Sequence, residues 1–230
     1  MQAEDFIVQV ATEAHVSFAE AICKEMEESA KARGTGIAKR DPEYIKNKMR
    51  EGKAIIALTP DQTRFAGFCY IESWGHDKYV ANSGLIVDPE FRKYGLATLI
   101  KQTAFQLSLT KFPGAKLFGL TTSLPVMKIN AELGYKPVAF KELTDDEEFW
   151  KGCSGCVNYD ILTRTDRKHC LCHGMLFDPK DKHEDHNKWH VEEKKSFYEK
   201  MTDKKEHMYL DKDGAPKKDN KSSDEAPKAE

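Results

Sequence analysis

The sequence predicts an α/β fold: a mixed, mostly antiparallel sheet with helices on both faces. Three observations predict it. Short apolar runs rich in β-branched and aromatic residues alternate with segments whose apolar residues recur every three or four positions. Two of the runs, 53–59 and 64–73, are separated by little more than a Pro60-Asp61-Gln62 turn, which makes them paired strands. The stretch 82–106 reads as a buried strand, a turn at Asp88-Pro89-Glu90 and an amphipathic helix.

The elements follow in order. Residues 6–12 alternate as a first strand, with Phe6, Val8 and Val10 on one side and Ile7 and Gln9 on the other. Residues 14–32 form a helix with Val16, Phe18, Ala19, Ile22, Cys23 and Met26 as its apolar stripe, ended by Gly34. Asp41 caps a second helix, with Pro42 at its first position, that runs to about Arg50 and stops at Gly52. After the strand pair, 75–79 is a loop, and Ser83 to Val87 is the short strand before the turn. The helix that follows has Leu96, Leu99, Ile100, Thr103 and Leu107 at helical spacing. Residues 117–122 are a strand, 124–133 a short helix closed by Gly134, and 136–141 another strand. Thr144 heads a capping box for a helix through Trp150. Residues 157–163, with Val157, Tyr159, Ile161 and Thr163, are predicted as the last strand.

Composition sets limits on function. The chain has 230 residues and a formal net charge of −2, so no basic field points to nucleic acid. Hydrophobic residues make up 40%, enough for one core, while 32% charged residues predict an exposed extension. The segment from Asp178 to Glu230 holds 13 of the 36 basic and 15 of the 38 acidic residues, which leaves the rest formally neutral. Residues 179–210 are expected to be a charged, partly helical extension with Trp189, Phe197 and Tyr198 as anchors, and 211–230 a disordered tail. No apolar run approaches membrane-spanning length, and residues 1–10 lack the basic and apolar regions of a signal peptide. Six cysteines without such a signal predict a reducing, cytoplasmic setting.

The junction around Gly95 favours an anion. The first amides of a helix lack internal partners and sit at the positive end of its dipole. Gly95 and Ala97 keep side chains off the backbone, and Arg92 and Lys93 add charge. A strand-turn-helix with a glycine for packing explains the same hexapeptide when it is taken alone.

With its surroundings, the stretch resembles the acyl-CoA-binding core of the GNAT acyltransferase superfamily. Arg92-x-x-Gly95-x-Ala97 matches the pyrophosphate loop, and a strand and helix ending in Glu132-Leu133-Gly134-Tyr135 follow at the expected separation. The resemblance runs from about residue 7 to 164 and implies a GNAT catalytic domain over 1–164. It implies an acyl-CoA bound by Leu85, Ile86, Val87, Arg92, Lys93, Tyr94, Gly95, Leu96 and Ala97, with amides of the first three receiving the oxyanion. Within the superfamily, residues 20–40, 94–105 and 149–175 resemble the short N-acylglutamate synthases of arginine biosynthesis. That implies transfer of an acetyl or succinyl group to a small acidic amino acid, with a homodimer left open. The implied acceptor site contains Arg33, Lys39 and Arg40, and arginine forks suit carboxylates; each also reads as a solvated residue near a helix end. Glu72 is the candidate base, against a solvated strand-end glutamate. Asn130 stands where the family commonly has a tyrosine that protonates the leaving thiolate. Tyr135 is read as a packing residue.

The cysteines make a second group. Cys153, Cys156, Cys170 and Cys172, spaced C-x2-C-x13-C-x-C across residues 150–178, have the ligand chemistry of a structural zinc site. Small buried hydrophobes plus exposed thiols account for them equally well. His183, His186 and His190 share a helical spacing in a charged segment. Two other functions stay open: a protein or peptide N-acetyltransferase, and a non-catalytic CoA-sensing or zinc-stapled module.

Overall fold

The hairpin at the centre of the chain positions the rest. β2 (Ala54–Leu58) is fully buried, and β3 (Phe65–Trp74) is buried along its first seven residues, so neither strand has a solvated face. Asp61 closes their turn by accepting from Thr59 Oγ1 (2.5 Å) and the Thr63 amide (3.2 Å). A computed structural model, which describes residues 2–34 and 39–181, extends this pair into a seven-stranded sheet of order β1-β2-β3-β4-β5-β7-β6. The other strands are β1 (Ile7–Val10), β4 (Tyr79–Val87), β5 (Lys116–Thr121), β6 (Lys136–Val138) and β7 (His173–Phe177). Only β4 and β5 pair in parallel; every other neighbouring pair is antiparallel.

Helices cover both faces. α1 (Ala19–Arg33) and α2 (Pro42–Arg50) bury Ile22, Met26, Ile45 and Met49 against Ile56, Phe68 and Tyr70. On the opposite face α3 (Leu96–Lys111) packs Ile100, Ala104 and Phe105 against Ile55, Cys69 and Val80. Each large apolar side chain so buried contributes about 1.5–3 kcal/mol. α4 (Leu124–Glu132) lies beyond α3. A third cluster, with Phe118, Phe140, Trp150, Leu162 and Leu176, joins β5 and β7 to α5 (Glu147–Lys151) and α6 (Tyr159–Arg164).

Several boundaries differ from expectation, each for a local reason. The first helix opens as a 3-10 turn, Glu13–Phe18, because His15 Nδ1 accepts from the Thr12 amide at 3.0 Å. Residues 136–141 pair only as far as Val138 before a 3-10 turn, Phe140–Glu142. The cap of α5 is Asp146 rather than Thr144; Asp146 accepts from the Glu148 amide, and the Thr144 carbonyl instead accepts from the Trp150 indole at 2.8 Å.

The larger correction concerns residues 157–163, which form the helix α6 and not the last strand. Val157 and Thr163, on the face a strand would bury, are exposed, and Asp160 is exposed while Leu162 two positions on is 3% exposed, so burial does not follow a strand period. The β-branched Thr163 and Thr165 turn their hydroxyls onto the carbonyls of Tyr159 (3.1 Å) and Ile161 (2.7 Å), which suits a helix. The strand slot is filled by β7, inserted between β5 and β6 with Gly174 to Phe177 all buried. The sheet therefore extends past residue 164, and part of the cysteine-bearing segment belongs to it. The charged extension, the tail and the three histidines lie outside the described residues, apart from 179–181. Among the described residues no helix is long and apolar enough to cross a membrane.

This placement of α6 has a direct test. Leu162→Ala should cost about 2–5 kcal/mol in urea unfolding, as a buried truncation does, while Val157→Lys should shift stability by no more than about 0.5 kcal/mol. A large loss for Val157→Lys would return the segment to a buried strand.

Candidate functional site

The site forms where β4 and β5 part. Their pairing covers only Tyr79 to Ala81 against Lys116 to Phe118, and beyond Ala81 the β4 edge has no strand partner among the described residues. A bulge sharpens the divergence. Phe68 faces Ile86 and Tyr70 faces Ser83, so Cys69 of β3 opposes both Gly84 and Leu85. Gly84 sits at φ +65°, and a Cβ there would lie 2.6 Å from the Tyr70 ring and 2.9 Å from Met26. Glycine is thus demanded by backbone conformation and by close packing together.

The opening leads into a cleft of about 560 Å³, a size suited to a small substrate. Leu85 lines it, while Ile86 turns its side chain into the α1–α2 core and Val87 pairs with Gly67. Past the strand, Asp88 caps a 3-10 turn, Pro89–Phe91, by accepting from the Glu90 amide at 2.9 Å. Lys93 and Gly95 both take left-handed conformations, φ +71° and +80°. The first hydrogen bonds of α3 run from Thr98 (3.0 Å) and Leu99 (3.3 Å) to the Gly95 carbonyl. The amides of Leu96 and Ala97 therefore have no helical acceptor, the condition for binding an anion. Arg92 is held beside this turn, donating to the Val87 carbonyl (3.0 Å), Glu25 (3.2 Å) and Ser29 (3.1 Å). Tyr94 packs its ring near Phe6, 6.5 Å between centres.

Across the cleft, Arg33, Lys39 and Arg40 all line its wall. Residues 35–38 between them lie outside the described residues. Arg40 donates to the Tyr70 hydroxyl at 2.8 Å, which fixes its fork above β3. Arg33 is weakened as an acid-base cation by burial and by the nearby charge of Arg92, so these two arginines approach one another. Glu72 is also in the cleft but is not a solvated strand end. Lys48 reaches its carboxylate at 2.5 Å, and the Tyr44 hydroxyl donates to the other oxygen. Burial first, then the charges of Tyr70 and Glu72, push the Tyr44 phenol far above its ordinary range.

Asn130 is 1% exposed, with its Nδ2 donating to Met175 Sδ at 3.7 Å and its Oδ1 without a partner among the described residues. Tyr135 is the packing residue expected, between Phe105 and Phe177, but its hydroxyl also donates to Asn82 Oδ1 at 3.0 Å. Burial drives that phenol far up in pKa. Sequence reasoning missed Asn82, Lys101 and Tyr70. Lys101 had a usable signal, because it interrupts a face of α3 that Ala97, Ala104 and Ser108 continue at helical spacing.

The zinc expectation is not supported. Cys153, Cys156, Cys170 and Cys172 all border one end of the cleft, near enough for their charges to interact. Among the described residues, however, no group of three or more His, Cys, Asp or Glu side chains is arranged to hold a metal. Cys153, Cys170 and Cys172 pack against the cluster of Phe118, Trp150 and Leu162, and burial pushes Cys153 up to about 11 and Cys172 to about 12. Zinc takes thiolates in a tetrahedron, and no such set is in place among the described residues.

No protein-family model matches the sequence, and comparison with curated proteins finds no significant match. Solved structures do match. N-acetylglutamate synthase from Neisseria gonorrhoeae, complexed with coenzyme A and N-acetyl-glutamate, aligns at a TM-score of 0.54 and 15% identity over 76% of this chain. The chain covers 35% of that synthase. Rv2747 from Mycobacterium tuberculosis, in complex with CoA, gives a TM-score of 0.54 and 15% identity over 75% of this chain and 98% of that one. A GNAT-family acetyltransferase from Bacillus anthracis gives 0.51 and 10%, over 79% and 99%. The fold of the chain is that of the GNAT acetyltransferases.

Two outcomes follow from this geometry. Gly95→Glu puts a carboxylate and a strained Cβ at the turn, so titration calorimetry should find CoA binding lost; unchanged affinity would remove the anion site from α3. Incubation with a metal chelator should leave the melting temperature unmoved, whereas a fall of several degrees would restore the zinc staple.

Proposed function

We propose that this GNAT-fold chain is an acyl-CoA-dependent N-acyltransferase whose acceptor is the amine of a small acidic amino acid, with glutamate the leading candidate. One observation carries the reading. A β4 edge that has no strand partner beyond Ala81 among the described residues borders a cleft that two arginines also line, and the same strand leads on to a helix start with free amides. The ligands of the Neisseria gonorrhoeae synthase, coenzyme A and N-acetyl-glutamate, have the chemistry these two halves would take.

The pyrophosphate binds at Leu96 and Ala97, whose amides and helix dipole meet its charge, with Arg92 and Lys93 adding theirs. The thioester then lies along β4, and an amide among Leu85, Ile86 and Val87 receives the carbonyl oxygen. A preorganised donor of this kind is worth about 10²–10³ in kcat. Arg40, braced by Tyr70, and Arg33 hold the carboxylates of the acceptor. The amine gives up a proton to Glu72, directly or through water, and its nitrogen attacks the thioester carbon. A C–N bond forms, the C–S bond breaks, and the electron pair leaves on the CoA thiolate. Asn130 offers that thiolate no acid. The thiolate is stable enough to leave unprotonated and takes its proton from solvent.

Thiol release from acyl-CoA in the presence of glutamate, aspartate, other amino acids and short peptides tests the reading. Release with glutamate is expected, and Glu72→Gln should lower kcat about 10²-fold or more with CoA binding intact. Turnover on peptides alone would make the chain a peptide N-acetyltransferase. Binding of acyl-CoA without turnover on any amine would overturn catalysis in favour of a CoA sensor.

A further inference from the structure

The gap between β4 and β5 narrows to a vertex, and that vertex is not apolar. Asn82, the first residue beyond the parallel pairing, directs its side chain onto α3. Its Oδ1 accepts from Lys101 Nζ at 3.2 Å and from the Tyr135 hydroxyl, while its Nδ2 donates to Ser108 Oγ at 2.9 Å. Lys101 is 2% exposed, with its Nζ 5.4 Å from the centre of the Tyr135 ring. Among the described residues no carboxylate pairs with it, and the nearby titratable group is the Cys69 thiol. Lys101, Asn82 and Asn130 all border the cleft, and Asn130 adds a buried amide oxygen that has no partner.

A buried ammonium with only neutral partners is costly, and a methionine would fill the same space without that cost. Burial accordingly pulls the Lys101 pKa below its ordinary value. The arrangement becomes favourable once an anion enters. Under the acyl-CoA reading proposed above, on which this step rests, the pantetheine arm comes down β4 from the start of α3. The carbonyl meets the amides of Leu85 to Val87, and the acyl tail is what points on to the vertex.

We infer that the vertex is an acyl-tail pocket in which Lys101 and Asn82 select an acyl group ending in a carboxylate, so that the donor is succinyl-CoA or a close dicarboxylic analogue and not acetyl-CoA. A terminal carboxylate there completes the ion pair that Lys101 lacks and accepts hydrogen bonds from both side chains. An acetyl methyl leaves the ammonium buried and unmatched. An amide turned about its last bond lets Asn130 donate to the same carboxylate.

Titration calorimetry of the full chain with CoA, acetyl-CoA and succinyl-CoA, with no acceptor present, tests the pocket. Succinyl-CoA should bind about 10- to 100-fold more tightly than acetyl-CoA, the weight of a charge-assisted hydrogen bond. Lys101→Met should bring the two esters to parity while free CoA binds as before. Equal affinities in the unaltered chain, or a preference that survives Lys101→Met, would overturn the pocket, and the first comparison decides even if the variant does not fold. Turnover of acetyl-CoA with a weaker succinyl donor would sink the pocket and leave acyl transfer standing. Absence of binding by CoA and both esters would remove the acyl-CoA reading and the pocket with it.

Discussion

Three residue pairs of parallel β4–β5 pairing, followed by none among the described residues, are the constraint on which the cleft depends. A strand that continues beside its neighbour satisfies its amides along one edge and has nothing to offer a ligand. A strand that diverges keeps those amides available, provided the rest of the sheet holds it in place. Here β4 is held by seven registered pairs to β3, and the bulge at Gly84 turns the divergent part outward. The packing of Tyr70 and Met26 into the space a Cβ would occupy at Gly84 makes that bend part of the core.

The α3 start, which lies outside the cleft lining, and the α1–α2 side of the cleft are two halves tuned by different physics. At the α3 start any pull on an anion comes from backbone amides and the helix dipole, which need no side chain beyond Gly95 and are insensitive to titration. On the α1–α2 side it comes from side chains whose settings are mutual. Arg40 leans on Tyr70, whose ring stands edge-on to Tyr44 at 5.7 Å, and Tyr44 and Lys48 together hold Glu72. A change to any one of them alters the field felt by the others, so this side of the cleft has the narrower tolerance. Lys101 belongs to neither half; it lies behind β4, on the α3 face, where the two strands separate.

The cysteine segment shows how local pattern and tertiary environment diverge. Paired cysteines at short spacing read as metal ligands, yet three of the four serve as small apolar fillers beside Trp150 and Phe118. Residues 157–163 read as a strand because their β-branched residues fall at alternate positions. The i−4 hydroxyl bonds of Thr163 and Thr165 and the burial of Leu162 alone settle them as helix. β7 was hard to see because its five residues sit between the cysteines and a charged tail, with too little sequence to set up a period.

The sequence by itself determined the parts whose physics is local: the Asp41 cap, the Pro60 turn, the glycine-led helix start at 95 with its free amides, and the apolar periods of α1 and α3. These suffice to place a helix start with free amides and the GNAT-like order of elements, because propensity and backbone geometry act within a few residues. Only the tertiary structure decided which polar groups share an environment. Glu72 meets Lys48 across 24 positions, Arg40 meets Tyr70 across 30, and Tyr135 reaches Asn82 across 53. Burial and charge act through space, so whether Glu72 was solvated and whether four thiols formed a metal site had no answer in the order of residues.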